Sequence, residues 1–151
     1  MTHFPTRLIL ALVFLAPSIW GCGQTGADRE KRISTEQAAI QGYSAKIPEA
    51  VRYQNAFAEE WRRVNEIKDL KAYSEGMRSR VIPALEKYVA ALRMMPTNST
   101  KLADIHSKVT TAYEGAVAGF SVFLEELNDE NVEERYRTLL KAMETVAHAE
   151  K

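Results

Sequence analysis

From residue 33 onward the apolar positions recur every three or four residues, which is the spacing of one face of an α-helix. No polar–apolar alternation of the strand type persists anywhere in that stretch. The first stripe, over 35–47, carries Ala39, Ile40, Tyr43 and Ile47. Ser34, with Gln37 three residues on and Ile33 just ahead, forms a capping box and predicts that the helix starts there. Pro48 cannot donate a backbone hydrogen bond and crowds the turn before it, so the first helix is expected to be kinked or split at Pro48. Beyond it the stripe continues through Val51, Phe57, Trp61, Val64 and Ile67, with Glu59, Glu60, Arg62 and Arg63 mainly off it.

Asp69 offers a fresh N-cap. A second run follows with Leu70, Tyr73, Met77, Val81, Leu85, Tyr88, Leu92 and Met95, and Pro83 inside it predicts a bend. The breaker-rich stretch 95–100 is an interhelical loop. The longest stripe comes next: Leu102, Ile105, Val109, Tyr113, Ala116, Phe120, Leu124 and Leu127. A turn at 128–131 leads into a last helix with Val132, Tyr136, Leu139, Met143 and Val146, and with Glu133 and Glu134 near its positive end. Short connections between long amphipathic helices make neighbours antiparallel. The expected fold is all-α: an up-and-down bundle of about four long helices over 33–151.

Ahead of the bundle the pattern changes. Arg7 precedes the apolar block Leu8-Ile9-Leu10-Ala11-Leu12-Val13-Phe14-Leu15-Ala16, which Pro17 and Ser18 interrupt. A basic start, a short apolar block and a small residue before a cut are the pattern of a secretory signal. The block is too short to span hydrocarbon, which takes roughly 20 apolar residues. An uncleaved anchor or a buried helix is the alternative. The end of the stretch, Ile19-Trp20-Gly21-Cys22, resembles the lipobox of bacterial lipoprotein signals. Ile19 and Gly21 match its aliphatic and small positions and Cys22 its acylated cysteine, while Trp20 departs from the pattern. The resemblance implies cleavage after Gly21, a diacylglycerol on the Cys22 thiol and acylation of the new amine. More than one acyl chain makes such an anchor durable. Gly23, where retained lipoproteins carry Asp, implies the outer membrane if the cell has two. The organisation expected is a signal peptide over 1–21, the lipidated cysteine with a flexible polar tether over 22–32, and the bundle domain.

Composition narrows the function further. Cys22 is the single cysteine, so an exported chain has no internal disulfide to make and lipidation gives the thiol a use. Basic and acidic side chains number 20 each, and only Arg7 leaves with the signal. That balance argues against nucleic acid and against a polybasic membrane surface. The membrane is therefore expected as a partner through the lipid, alongside an envelope protein of unknown identity.

Candidate chemistry is sparse. Of the three histidines, His3 lies in the signal, His148 near a terminus and His106 beside an apolar stripe, where a satisfied boundary histidine is the ordinary reading. The Glu-x-x-His motif of di-iron bundles fails, because Ala103 and Thr145 stand three residues before His106 and His148. A haem held by one of these histidines and Met77, Met94, Met95 or Met143 competes with methionine as core filler. Gly115 and Gly119 form a Gly-x-x-x-Gly pair, either for a partner helix or for close packing inside the bundle. Tyr53, Phe57 and Trp61 lie four apart and read as core, with an exposed ligand patch as the alternative. Lys68, Lys71, Arg78 and Arg80 could face the carboxylates of 125–134 or mark a docking surface. No catalytic, metal or cofactor constellation emerges. The expectation is a lipid-anchored bundle of the bacterial cell envelope that binds or assembles proteins without catalysis. The alternative is a small-molecule or haem-binding envelope lipoprotein.

Overall fold

The computed structural model describes residues 26–149 except 126 and 129. Gly21, Cys22 and the whole signal segment lie outside the described residues. All regular structure in the described part is helical. Helix α1 runs over Gly26–Asn65 and α2 over Leu70–Gly76. A π-helical turn at Met77–Val81 joins α2 without a break to α3, Ile82–Arg93. Helix α4 is Thr100–Leu124 and α5 is Val132–Ala149. Since α2, the π turn and α3 form one rod, the described residues make four long helical rods.

Their directions follow from which residues meet. A Cβ on Gly42 would lie 3.8 Å from Pro96 Cγ, and one on Gly76 would lie 3.0 Å from Val64 Cγ2, so α1 and the second rod are antiparallel. His106 reaches the Leu92 carbonyl, Tyr113 stacks edge-on with Tyr88, and Arg78 donates to the Leu124 carbonyl. The second rod and α4 are therefore antiparallel too. Phe123 meets Tyr136, and Arg135 donates to the Val122 carbonyl, which sets α5 against α4. The architecture is the expected up-and-down antiparallel bundle.

The core is one cluster drawn from every rod. Val64, Met77, Val81, Leu85 and Phe120 have no exposed surface, and Leu124 and Leu139 have almost none. Phe57 and Trp61 close on Phe120 with ring centroids 6.2 and 4.8 Å away, in the edge-to-face manner that aromatic pairs favour. The trio Tyr53, Phe57 and Trp61 is thus a core stripe, with Tyr53 half-buried at its upper edge.

Three local expectations need correction. Helix α1 starts at Gly26, so residues 26–32, expected as flexible tether, are already helical. Ser34 lies inside the helix, not at its N-cap; its hydroxyl and that of Thr35 both donate to the Lys31 carbonyl at 2.8 and 2.9 Å. Pro48 does not split the helix but is carried within it, leaving the Ser44 carbonyl without the usual amide donor. A long helix with a packed face beyond Ala50 outweighs one missing bond.

The bend expected at Pro83 takes the form of the π turn just before it. The Ile82 amide donates to the Met77 carbonyl, one residue further back than in an α-turn. The widened turn lies where the Pro83 ring would press on the carbonyl four residues earlier. The remaining boundaries are capped as their residues dictate. Asp69 Oδ1 accepts from the Ala72 amide at 2.7 Å, and Ser99 Oγ from the Leu102 amide at 3.4 Å. In the turn before α5, Asn128 Oδ1 accepts from the amides of Glu130 and Asn131, and Asn131 Oδ1 from that of Asn128.

Trp61 is 6% exposed. Trp61→Ala should lower stability by about 3–5 kcal/mol, the usual cost of emptying a large aromatic site, read as a drop in thermal midpoint; a midpoint within a degree of the parent would contradict this packing.

Candidate functional site

Among the histidines of the described residues, His106 is the buried one, at 7% exposed. It projects from α4 between α1 and the end of α3. Its Nε2 lies 2.9 Å from the Leu92 carbonyl, which can only accept, so Nε2 carries a proton. In the neutral ring Nδ1 is then the acceptor, and the Tyr43 hydroxyl, 3.0 Å away, donates to it. Thr110 Oγ1 sits 3.2 Å from Nε2 while donating to the His106 carbonyl at 2.9 Å. Both ring nitrogens are thus engaged by protein groups. No lone pair is left for a haem iron or for taking a proton from a substrate, and His106 is the satisfied histidine that its place beside the stripe suggests. Burial raises the Tyr43 phenol, which keeps it a donor. His148 is exposed, Met77 is fully buried and Met94 is 80% exposed.

At Gly115 the close packing inside the bundle, one of the two readings of the glycine pair, is not found. A Cβ on Gly115 would meet nothing within 4 Å. The position lines an open cleft of about 530 Å3 between α4 and α5, with Ser107 and Thr111 two turns and one turn before it and Thr145 on α5. The close approach of backbone to side chain occurs instead at Gly76, against the buried Val64.

The charge groupings also sort themselves. Arg78 crosses to α4, but its target is the Leu124 carbonyl at 2.7 Å, not a carboxylate. Arg135 reaches the Val122 carbonyl at 2.8 Å. Two guanidinium groups therefore cap the last turn of α4, where carbonyls lack amide partners and the helix dipole is negative. Most ion pairs among the described residues lie within one helix, as Arg62 with Glu66, Lys108 with Asp104 and Arg137 with Glu133. Such exposed pairs contribute little.

A second cleft, of about 490 Å3, opens at the end of the bundle where α1 passes to α2 and α4 to α5. Asn65, Ile67, Lys68, Leu70, Tyr73, Phe123, Val132 and Tyr136 line it. Tyr73 packs edge-on to Phe123 at 6.2 Å, and Phe123 to Tyr136 at 6.5 Å. The Tyr73 hydroxyl is shut from water and has no hydrogen-bond partner. Burial first, and the neighbouring Tyr136 second, push its phenol up to about 12. Sequence periodicity places Tyr73 on the core stripe and gives no sign of the missing partner. The available signal was topological: the loops at 65–69 and 125–131 must share one end of an up-and-down bundle, with Tyr73, Phe123 and Tyr136 all within a turn or two of them.

Among the described residues no three His, Cys, Asp or Glu side chains come together to hold a metal ion. No described helix is long and apolar enough to cross a membrane.

The glycines and Tyr73 each generate an expectation. Gly115→Ala should stabilise by about 0.5–1 kcal/mol, because it gains helix propensity in open space. Gly76→Ala should lower the thermal midpoint despite the same gain, since its Cβ presses on Val64; the reverse order of the two midpoints would refute the packing. For Tyr73 the unfolded phenol, at about 10, releases its proton before the folded one. The unfolded state then binds fewer protons, so stability falls as pH rises from about 10 towards 12. Tyr73→Phe should flatten that part of a pH–stability profile and, by removing an unpaired buried hydroxyl, leave stability at neutral pH equal or higher. An unchanged alkaline slope would contradict the burial of this phenol.

Set beside models of known families, curated proteins and solved structures, the chain matches none of them, and what it does has to be read from its own residues.

Proposed function

We propose that the protein is a lipid-anchored helical bundle of the bacterial cell envelope, held at a membrane by acylated Cys22 and serving as a protein-binding or assembly module without catalysis. The observation that carries this reading is the apolar block followed by Ile19-Trp20-Gly21-Cys22, in a chain with no other cysteine. The acyl chains would supply the membrane affinity, so the domain itself needs neither a basic face nor a spanning helix. In two-membrane cells Gly23 directs the anchor to the outer membrane.

The shape of α1 supports a tethering role. Residues 28–38 are all exposed, and the helix meets the rest of the bundle from about Gly42 onward. The 13 helical residues from 26 to 38 extend roughly 20 Å at about 1.5 Å per residue. A stalk of this kind holds the body off the membrane at a set distance, where a flexible tether of the same residues would let it collapse onto the surface. The surface ion pairs are spread along the rods rather than gathered at a cleft, as suits a scaffold.

Expression of the full chain in a two-membrane bacterium tests the anchor. Cys22→Ala should abolish incorporation of an alkyne-tagged fatty acid and release the chain from the membrane fraction, while the thermal midpoint of the bundle stays the same. Labelling and membrane retention that survive the substitution would remove the lipid from the account.

A further inference from the structure

We propose that the cleft at the loop end of the bundle, remote from the start of α1, binds a small carboxylate with a flat apolar body, such as an arylalkanoate. All four rods contribute to it, and three features of its lining define the ligand.

The first is shape and polarity. Tyr73, Phe123 and Tyr136 form a run of edge-to-face rings in a cleft of about 490 Å3 that Ile67 also lines. That volume is in the range of small-molecule sites, which are largely apolar with a few polar groups to fix orientation. An aryl group inserted there continues the edge-to-face series at the centroid spacing that aromatic rings favour.

The second is charge. Lys68 is the one formally charged residue in the described lining, and it makes no ion pair with any described residue. Its neighbours are spent: Arg62 and Glu66 hold each other, Arg63 holds Glu60, and Arg78 caps α4. Three aromatic rings alone would suit a cation. A free ammonium beside them, with no carboxylate in the described lining, reverses that preference and selects an anion.

The third is the unpaired Tyr73 hydroxyl. Its proton stays on through neutral pH, so it can only be satisfied by an acceptor. Leaving a buried donor without one is costly. A carboxylate held by Lys68 brings an acceptor into the cleft that Tyr73 also lines, and the Asn65 amide offers another donor. The hydroxyl is closed to water, so its bond to a bound carboxylate requires the side chains over it to shift.

The site is built from body residues only. It does not depend on acylation of Cys22, and a chain that stays soluble can still bind, just as an anchored chain can fail to.

Calorimetric titration of the full chain with 3-phenylpropionate, 4-phenylbutyrate and indole-3-acetate, each beside its neutral amide, tests the proposal. At least one carboxylate should bind saturably, and its amide should bind weaker by on the order of tenfold, the usual scale of a charge-assisted hydrogen bond. Lys68 is exposed, so Lys68→Gln keeps the fold and should weaken the carboxylate about tenfold while leaving the amide unchanged. Tyr73→Phe should weaken it severalfold with no loss of thermal midpoint, which separates a binding role from a structural one. No saturable binding by any carboxylate, equal binding of acid and amide, or an affinity indifferent to Lys68→Gln would each overturn the proposal. An affinity unchanged in Tyr73→Phe would strike the hydroxyl from the site.

Discussion

The bundle depends on Phe120 and the two α1 rings that close over it. Helices α1 and α4 run parallel, and their backbones are not close neighbours. What joins them is side-chain reach: Phe57 and Trp61 extend from α1 to a Phe120 that has no surface left to solvent. Large aromatics are the side chains that can bridge such a diagonal and still pack densely. Tyr43 and His106 repeat the bridge at the other end, polar where the first is apolar. The apolar bridge supplies burial. The polar one supplies direction, because the His106 ring is satisfied only with Tyr43 on one side and Leu92 on the other, which fixes the register of three rods.

Between those bridges the second rod has to keep one face on α1 and another on α4 for 24 residues. A plain α-helix with Pro83 in it would bend away from one of them. The π turn adds a residue to one turn and so rotates the stripe that follows, letting Met77, Val81 and Leu85 all stay fully buried. Gly76 stands immediately before the turn because the rod passes closest to α1 there; any side chain would meet Val64. Glycine, π turn and proline together solve one geometric problem.

This explains what the sequence discloses and what it hides. Helix existence, order and antiparallel sense are legible, because a stripe at helical spacing is a statement about which face is buried. Phe57, Trp61, Leu85, Phe120 and Leu139 are core for that reason. The same periodicity misplaces Ile40 and Ile105, which are 55% and 46% exposed: a stripe cannot show where a neighbouring helix ends, and α1 outruns its partners. Ser34 matches a capping box, yet capping chemistry is local and cannot outweigh continuing helix on both sides. The Gly-x-x-x-Gly spacing points to Gly115 when the close contact is at Gly76, since small residues permit an approach without requiring one. The Tyr73 hydroxyl was invisible because partnership is a property of four rods at once, and no single stripe contains it.

The arrangement also orders the molecule along its length. α1 is 40 residues long, roughly 60 Å at helical rise. Its start is exposed over 28–38, and its far end contributes Asn65 to the cleft beside Tyr73. The rod between them is continuous, so it holds the two ends of the bundle at a fixed separation. α5 adds the asymmetry: it lies along α4 and along no other rod so closely, and both clefts border it. α5 thus walls the cleft at the far end of α1 and is joined to α4 there through the Phe123–Tyr136 contact, so the cleft's shape depends on how α5 seats on α4.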